Sequence, residues 1–351
     1  MRNTRFVGFA VMVAPARSLT GPAHTITRMS SSAPSARTAV IGGGAVGGLI
    51  AAFAREAGHD VTLCLRAPLE ELTLSTSGEV LRPDLRFATA PDQVARHDWV
   101  FLTTKAQDTQ GAAGWLDALC GPSTVVAVVQ NGIDHVERVA PLLPDGAEAL
   151  PTLAYMAVER VAPGRIVHHF SSELHVPEGR SAERLQELLA GSRLTVRGVA
   201  DFRTAAWRKL FTNVAANPLT ALLLQRMHIL GDEEMRARAE EILMEALAVA
   251  QAEGARVDEG DVRRALRANL AVGPDGGTST FYDRLAGRPM EHEHITGAVV
   301  RAADRHGMAA PLNRLLLTML RAADRELRER SSGASEASSG DAEGSSGVLE
   351  G

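Results

Sequence analysis

Thr38-Ala39-Val40-Ile41-Gly42-Gly43-Gly44-Ala45-Val46-Gly47 is the stretch that decides how this 351-residue chain folds. A short apolar strand runs into Gly42-x-Gly44-x-x-Gly47, and an Ala-rich helical stretch follows to Ala57, closed by Gly58. Gly42 permits the tight turn, Gly44 lets backbone approach a phosphate, and Gly47 lets helix pack on strand. The free N–H groups of the helix N-terminus then face an anion. The strand before and the helix after separate this pattern from an ordinary glycine-rich turn. The segment therefore predicts a dinucleotide-binding βαβ unit, with Gly42, Gly43, Gly44, Ala45, Val46 and Gly47 cradling a pyrophosphate.

The next strand, Val61 to Leu65, ends in Arg66. An acidic residue there would accept bonds from a ribose 2′-hydroxyl. A guanidinium suits a 2′-phosphate instead, so NADP is the expected cofactor. Glu70 lies close enough along the chain to compete for Arg66. Further strands are predicted at Trp99–Thr103 and Thr124–Val129, with helical segments between them and shorter β-like pieces around Arg165–Val176. Strand alternating with helix implies a parallel sheet. From about residue 203 the apolar spacing becomes helical, through Ala205–Leu224, Ile242–Ala252, Val262–Leu270, Ile295–Ala303 and Leu312–Leu327. The fold class is α/β: a Rossmann-type parallel-sheet domain over 37–200, then an all-helical domain over 201–330. Ligands of an open sheet sit at its carboxyl edge, so the cleft facing the helical domain is the predicted site.

A formal net charge of −5 gives no reason to expect nucleic acid or an anionic membrane as partner. No apolar run is long enough to span a bilayer. Two cysteines, Cys64 and Cys120, exclude a disulfide framework and suit a reducing, cytoplasmic setting. Residues 1–36 contain no Asp or Glu and are rich in Arg, Ser and Ala. They read as an unstructured arm, a transit-like leader, or the product of an early start with Met29 as the true one. Residues 331–351 are mostly Ser, Gly, Glu and Ala, and are expected to form a disordered tail.

Lys and Arg total 37, yet lysine stands only at 105 and 209. Arg is bulky and permanently charged, whereas a lysine ammonium is compact and tunable. The two lysines are thus candidates for work that Arg cannot do. Lys105 and Asn131-Gly132 both follow apolar strands, at the edge that carries the glycine loop. Lys209, Asn213 and Asn217 are spaced i, i+4, i+8, one polar stripe on an otherwise apolar helix. Pro218 gives Asn217 a second reading, as the cap of a following helix. Ser279, Asp283 and Glu291 flank a turn. Helix capping is the competing account there, with Thr280…Asp283 at capping-box spacing. His292 and His294 alternate with Glu291 and Glu293, which reads as a solvated polar face rather than a metal cluster.

Gly42–Gly47, Leu65-Arg66, Thr104-Lys105-Ala106 and Gln130-Asn131-Gly132 resemble the ketopantoate reductase (2-dehydropantoate 2-reductase) family. So do Trp207-Arg208-Lys209-Leu210, Asn213, Asn217-Pro218-Leu219-Thr220-Ala221, Ser279, Asp283, Glu291, Gly297 and Pro311. The resemblance spans about residues 38–325. It implies NADPH and an α-keto acid meeting in the cleft, in the service of pantothenate and coenzyme A synthesis. Lys209 matches the family's general acid. Asn131, Asn213, Asn217 and Ser279 match substrate positions. Arg66, Lys105, Asn131, Ala157 and Glu291 match cofactor positions. Met227, Thr280 and Tyr282 depart from the common Asn, Met and Gln, which keeps another bulky α-keto acid open as substrate. A non-catalytic NADPH sensor is the reading from outside enzymology. The helical half offers surfaces for a homodimer.

Overall fold

The computed structural model describes residues 23–26 and 36–343. Its first strands are β1 (Ala23–Ile26), β2 (Arg37–Ile41), β3 (Asp60–Cys64), β4 (Thr73–Thr76), β5 (Glu79–Pro83) and β6 (Arg86–Ala88). They are followed by β7 (Trp99–Leu102), β8 (Val125–Val128), β9 (Glu148–Pro151), β10 (Leu153–Ala162), β11 (Arg165–Pro177) and β12 (Thr195–Val199). Helices α1 (Ala45–Glu56), α2 (Ala113–Leu119), α3 (His135–Val139) and α4 (Arg180–Leu188) lie among them.

One sheet is wholly parallel, in the order β6-β3-β2-β7-β8-β9. Counted along the chain within that sheet, this is 3-2-1-4-5-6, the dinucleotide-binding order. Its central strands are apolar without alternation because both faces are covered. Val40, Phe101 and Ala127 pack on one side with α1, whereas Ile41, Leu102 and Val128 pack on the other with Trp115 and Leu116 of α2. The order reverses between β2 and β7. Gly42 leaves the first of these strands, and Thr103 to Lys105 leave the second.

The second sheet is mixed, and sequence reading missed most of it. Its order is β1-β5-β4-β11-β10, with β12 also paired to β11. The β-like pieces around Arg165–Val176 are one strand of 13 residues. It holds together because β4 pairs its start, β12 its end and β10 its length. β10 is the neighbouring arm of a hairpin, but β4 lies about ninety residues upstream, and local periodicity carries no trace of that pairing. Part of the N-terminal arm also departs from expectation, since β1 pairs in parallel with β5. Without it β5 would be an edge, whose unpaired backbone groups accept another strand. Residues 1–22 and 27–35, and the readings placed on them, lie outside the described residues.

The helical half consists of α5 (Phe202–Val214), α6 (Ala216–Leu223), α7 (Glu233–Ala252), α8 (Glu259–Ala271), α9 (Ser279–Leu285), α10 (Thr296–Arg305) and α11 (Pro311–Glu343). Asp201, Asp232 and Asp258 cap α5, α7 and α8 through their side chains. The stretch read as continuous over Ala205–Leu224 is two helices, broken at Ala215. Pro218 has no N–H to return to Val214, so the ladder is interrupted there. The backbone of α11 continues to Glu343, into the segment expected to be disordered. Extending a helix already nucleated on the core avoids the cost of starting one. Residues 344–351 lie outside the described residues.

Candidate active site

The glycine loop is built by close backbone contact. Gly42 has φ 114°, and Thr103 Oγ1 donates to Ile41 O at 2.9 Å and to Gly42 O at 3.1 Å. A Cβ on Gly47 would lie 2.0 Å from Gly42 O and 2.3 Å from Thr103 Oγ1, so only glycine fits. Gly44 caps α1 without a side-chain bond, and the first turn of α1 holds no acidic residue. A Cβ on Gly44 would meet nothing within 4 Å. Unpaired N–H groups thus face open space at the positive end of a helix, and these residues fit a pyrophosphate.

Beside this loop a charged cluster joins the two domains. Lys105 Nζ donates to Asp283 Oδ2 at 2.5 Å and to Glu291 Oε2 at 3.1 Å. Glu291 also accepts from Ala106 N at 3.1 Å and from Asn131 Nδ2 at 3.0 Å. Its carboxylate therefore gathers three donors from the carboxyl edge of the sheet. Burial opposes its charge, but Lys105 and these hydrogen bonds outweigh burial and hold its carboxyl below the usual range. Burial likewise opposes the charge on Lys105, and the Glu291 and Asp283 carboxylates overcome it, raising the ammonium above its ordinary value. Asp283 also accepts from Arg288 Nε at 3.1 Å.

Arg66 is 91% exposed at the end of β3, and its nearest carboxylate is Asp108 at 4.0 Å, not Glu70. Ala157 is buried on β10 opposite Phe170, at a shift of register.

Lys209 lies on α5, half-buried. Its Nζ stands 5.6 Å from the centroid of the Tyr155 ring, within reach of a cation–π attraction. Burial lowers its pKa to about 8, with Glu291 opposing the shift. Asn213 is half-buried one turn further on. Asn217 is buried within α6 rather than capping it, and Nδ2 donates to Thr280 Oγ1 at 3.1 Å. Thr278, not Thr280, caps α9, accepting from Phe281 N at 3.1 Å. It also lies 2.8 Å from Thr220 Oγ1 of α6. These two contacts dock the start of α9, which begins at Ser279, on α6.

The reading of residues 291–294 as a solvated face is corrected. Glu291 and His292 are both buried, because the segment is a turn packed between domains rather than a surface helix. Among the described residues no group of three or more His, Cys, Asp or Glu could hold a metal. No helix of the described residues is long and apolar enough to cross a membrane. Thr103, Tyr155 and Arg138 carried no motif that marked them, and Asp283 was singled out without its partner Lys105.

Residues 38–181 match the family model described as ketopantoate reductase PanE/ApbA, and residues 201–324 match the model of that family's C-terminal part. The chain belongs to the ketopantoate reductase PanE/ApbA family. It is 38% identical over 287 residues to a 2-dehydropantoate 2-reductase of Caulobacter vibrioides, covering 81% of this chain and 98% of that one. A 2-dehydropantoate 2-reductase of Mycobacterium tuberculosis is 37% identical over 288 residues, covering 81% of this chain and 97% of the relative. The crystal structure of a PanE/ApbA family ketopantoate reductase from Ralstonia eutropha JMP134 superposes with a TM-score of 0.76 at 29% identity, covering 83% of this chain and 99% of that chain. The fold alone is shared with a D-mandelate dehydrogenase solved with NADH and anilino(oxo)acetate, at TM-score 0.74 and 21% identity over 83% of this chain and 99% of that one. This ketopantoate reductase family member is therefore an oxidoreductase with a nucleotide-binding parallel sheet and a helical C-terminal half.

Proposed function

We propose that the chain reduces 2-dehydropantoate to pantoate with NADPH, with Lys209 as proton donor. The observation that carries this reading is Lys209 itself. It is a half-buried ammonium whose pKa burial lowers to about 8, close to the pH at which it would work, as a general acid requires. The reduced nicotinamide, when bound, supplies the hydride. As negative charge builds on the ketone oxygen, the ammonium of Lys209 stabilises it and gives up a proton. Asn131, Asn213, Asn217 and Ser279 orient the α-keto acid. The glycine loop, Arg66, Lys105, Asn131, Ala157 and Glu291 hold the dinucleotide. The product would supply pantothenate and coenzyme A synthesis.

A steady-state assay of NADPH oxidation with 2-dehydropantoate, repeated with NADH, tests the reading. Turnover with a larger kcat/KM for NADPH is expected. Dinucleotide binding without turnover of any α-keto acid would favour a sensor instead. A different α-keto acid is the second reading, favoured by Met227, which is buried in the helical core, and by Thr280, which takes the Asn217 amide. Arg66→Ala tests the 2′-phosphate contact separately. Loss of a charge-assisted hydrogen bond should raise the KM for NADPH by about tenfold or more. The KM for NADH should stay as it was, and a parallel rise in both would remove Arg66 from that role.

A further inference from the structure

A second polar network lies behind Asn131, and none of its members touches the proposed reacting atoms. Arg138 of α3 is its centre, with a side chain only 11% exposed. Its Nε and Nη2 donate to Gln130 Oε1 at 3.2 and 3.1 Å, and Nη2 reaches Asn131 O at 3.5 Å. Thr109 Oγ1, which donates to Ala106 O at 2.8 Å, lies 3.2 Å from the same Gln130 oxygen. Two guanidinium N–H donors on one atom fix the amide orientation of Gln130. The Gln130 amide nitrogen must then donate onward, and it meets Thr104 O and Thr104 Oγ1, each at 3.1 Å. Thr104 precedes Lys105, and Asn131 follows Gln130. One guanidinium thus holds the backbone on both sides of the dinucleotide edge.

Arg138 is itself anchored. Its Nη1 pairs with Asp134 Oδ1 at 2.5 Å, and Asp134 Oδ2 accepts from Arg301 Nη2 of α10 at 3.1 Å. Arg138 Nη1 also lies 3.3 Å from His294 Nδ1. An arginine cannot accept, so that ring nitrogen does, which makes His294 neutral here. The anchor therefore comes partly from the helical domain. Gly132, with φ 106°, lets the turn approach that domain, since a Cβ there would lie 2.9 Å from His294 O.

We infer that Arg138 is a positioning residue for the dinucleotide. It sets the Gln130-Asn131-Gly132 turn so that the Asn131 amide reaches Glu291, and through Gln130 it holds the strand end that presents Lys105. The residue types are matched to this task. A planar fork of five donors reaches Gln130, Asn131, Asp134 and His294 at once, more partners than the three donors of an ammonium can serve. The inference rests on the reading of this edge as a dinucleotide site.

Isothermal titration of NADPH against the full chain, without keto acid, supplies a readout independent of turnover. Arg138→Met is expected to raise the NADPH dissociation constant by about tenfold or more, the loss of charge-assisted hydrogen bonds onto the turn. Arg138→Lys should recover little of that affinity. Added guanidinium ion should partly restore binding to the Met variant and leave the wild-type chain unaffected. In the assay, the KM for NADPH should rise more than the KM for the keto acid. Asp134→Asn keeps Arg138 but removes its anchor, and should weaken NADPH binding in the same direction if the Met variant fails to fold. Unchanged NADPH affinity in either variant would overturn the inference. So would equal losses for NADPH and keto acid without guanidinium rescue. If the wild-type chain binds no NADPH, the functional reading fails first, and the two failures are thereby distinguished.

Discussion

Replacing Lys209 by Arg should lower kcat by about 10²–10⁴-fold, the usual worth of a positioned general acid, with NADPH affinity retained. Charge is conserved in this variant, so electrostatic attraction for an anionic substrate survives. What is lost is the transferable proton, since a guanidinium holds its proton at any pH a protein tolerates. The larger planar head must also fit where the ammonium now sits, 5.6 Å from the Tyr155 ring centroid. The pH profile carries an independent sign. The pKa of Lys209 is lowered from its ordinary value to about 8, and the protonated form is the proposed donor. The kcat should then be flat below about pH 8 and fall as pH rises through that value. The falling limb should be absent from whatever activity the Arg variant retains. Near-normal turnover by Lys209→Arg would remove the proton-donor role.

Glu291→Gln should do the widest damage of any single isosteric change. The carboxylate accepts from Lys105, Ala106 N and Asn131 at once. A glutamine can keep the bond to Ala106 N, but its NH₂ then faces two donors. Lys105 keeps Asp283 as a partner, so the loss is that of hydrogen bonds to a buried charge, about 1.5–3 kcal/mol. Unfolding entropy grows with chain length, so for 351 residues this corresponds to a thermal midpoint lower by about 2–4 °C. NADPH binding should weaken as well, because Lys105 would turn to Asp283 alone. Glu291 raises the pKa of Lys209. Removing its charge should therefore move the alkaline limb of the kcat profile to lower pH. A limb that stayed in place, with stability unchanged, would show that the two residues are not coupled and that the cluster is not a structural joint.

The glycine loop and Lys209 were readable in the chain for different reasons. Gly42, Gly44 and Gly47 are a local device, and the strand before them and helix after them lie within a few residues. Lys209 was visible as one of two lysines in an Arg-rich chain, on an apolar helix whose polar stripe asked for a partner. Arg66 was readable as the residue that follows the second strand, though its neighbour turned out to be Asp108 rather than Glu70. Asp283 and His292 could not be read in this way. Their local spacing suits a helix cap and a wet surface equally well, and only the docking of the helical domain buries them.

The parallel sheet, the change to helix after residue 200 and the list of candidate polar residues came from sequence alone. Each is written in periodicity, turn chemistry or residue type over a short window. Tertiary structure decided the second sheet, whose strands find partners up to about a hundred residues away, and the break at Ala215, which separates Lys209 and Asn213 from Asn217. It also decided that Glu291 joins three groups of the sheet edge to the helical half, and that Arg138 stands behind Asn131. Those contacts are made by burial and hydrogen bonding between segments remote in the chain. The free energy of such contacts depends on what the other domain brings, and no local pattern records it.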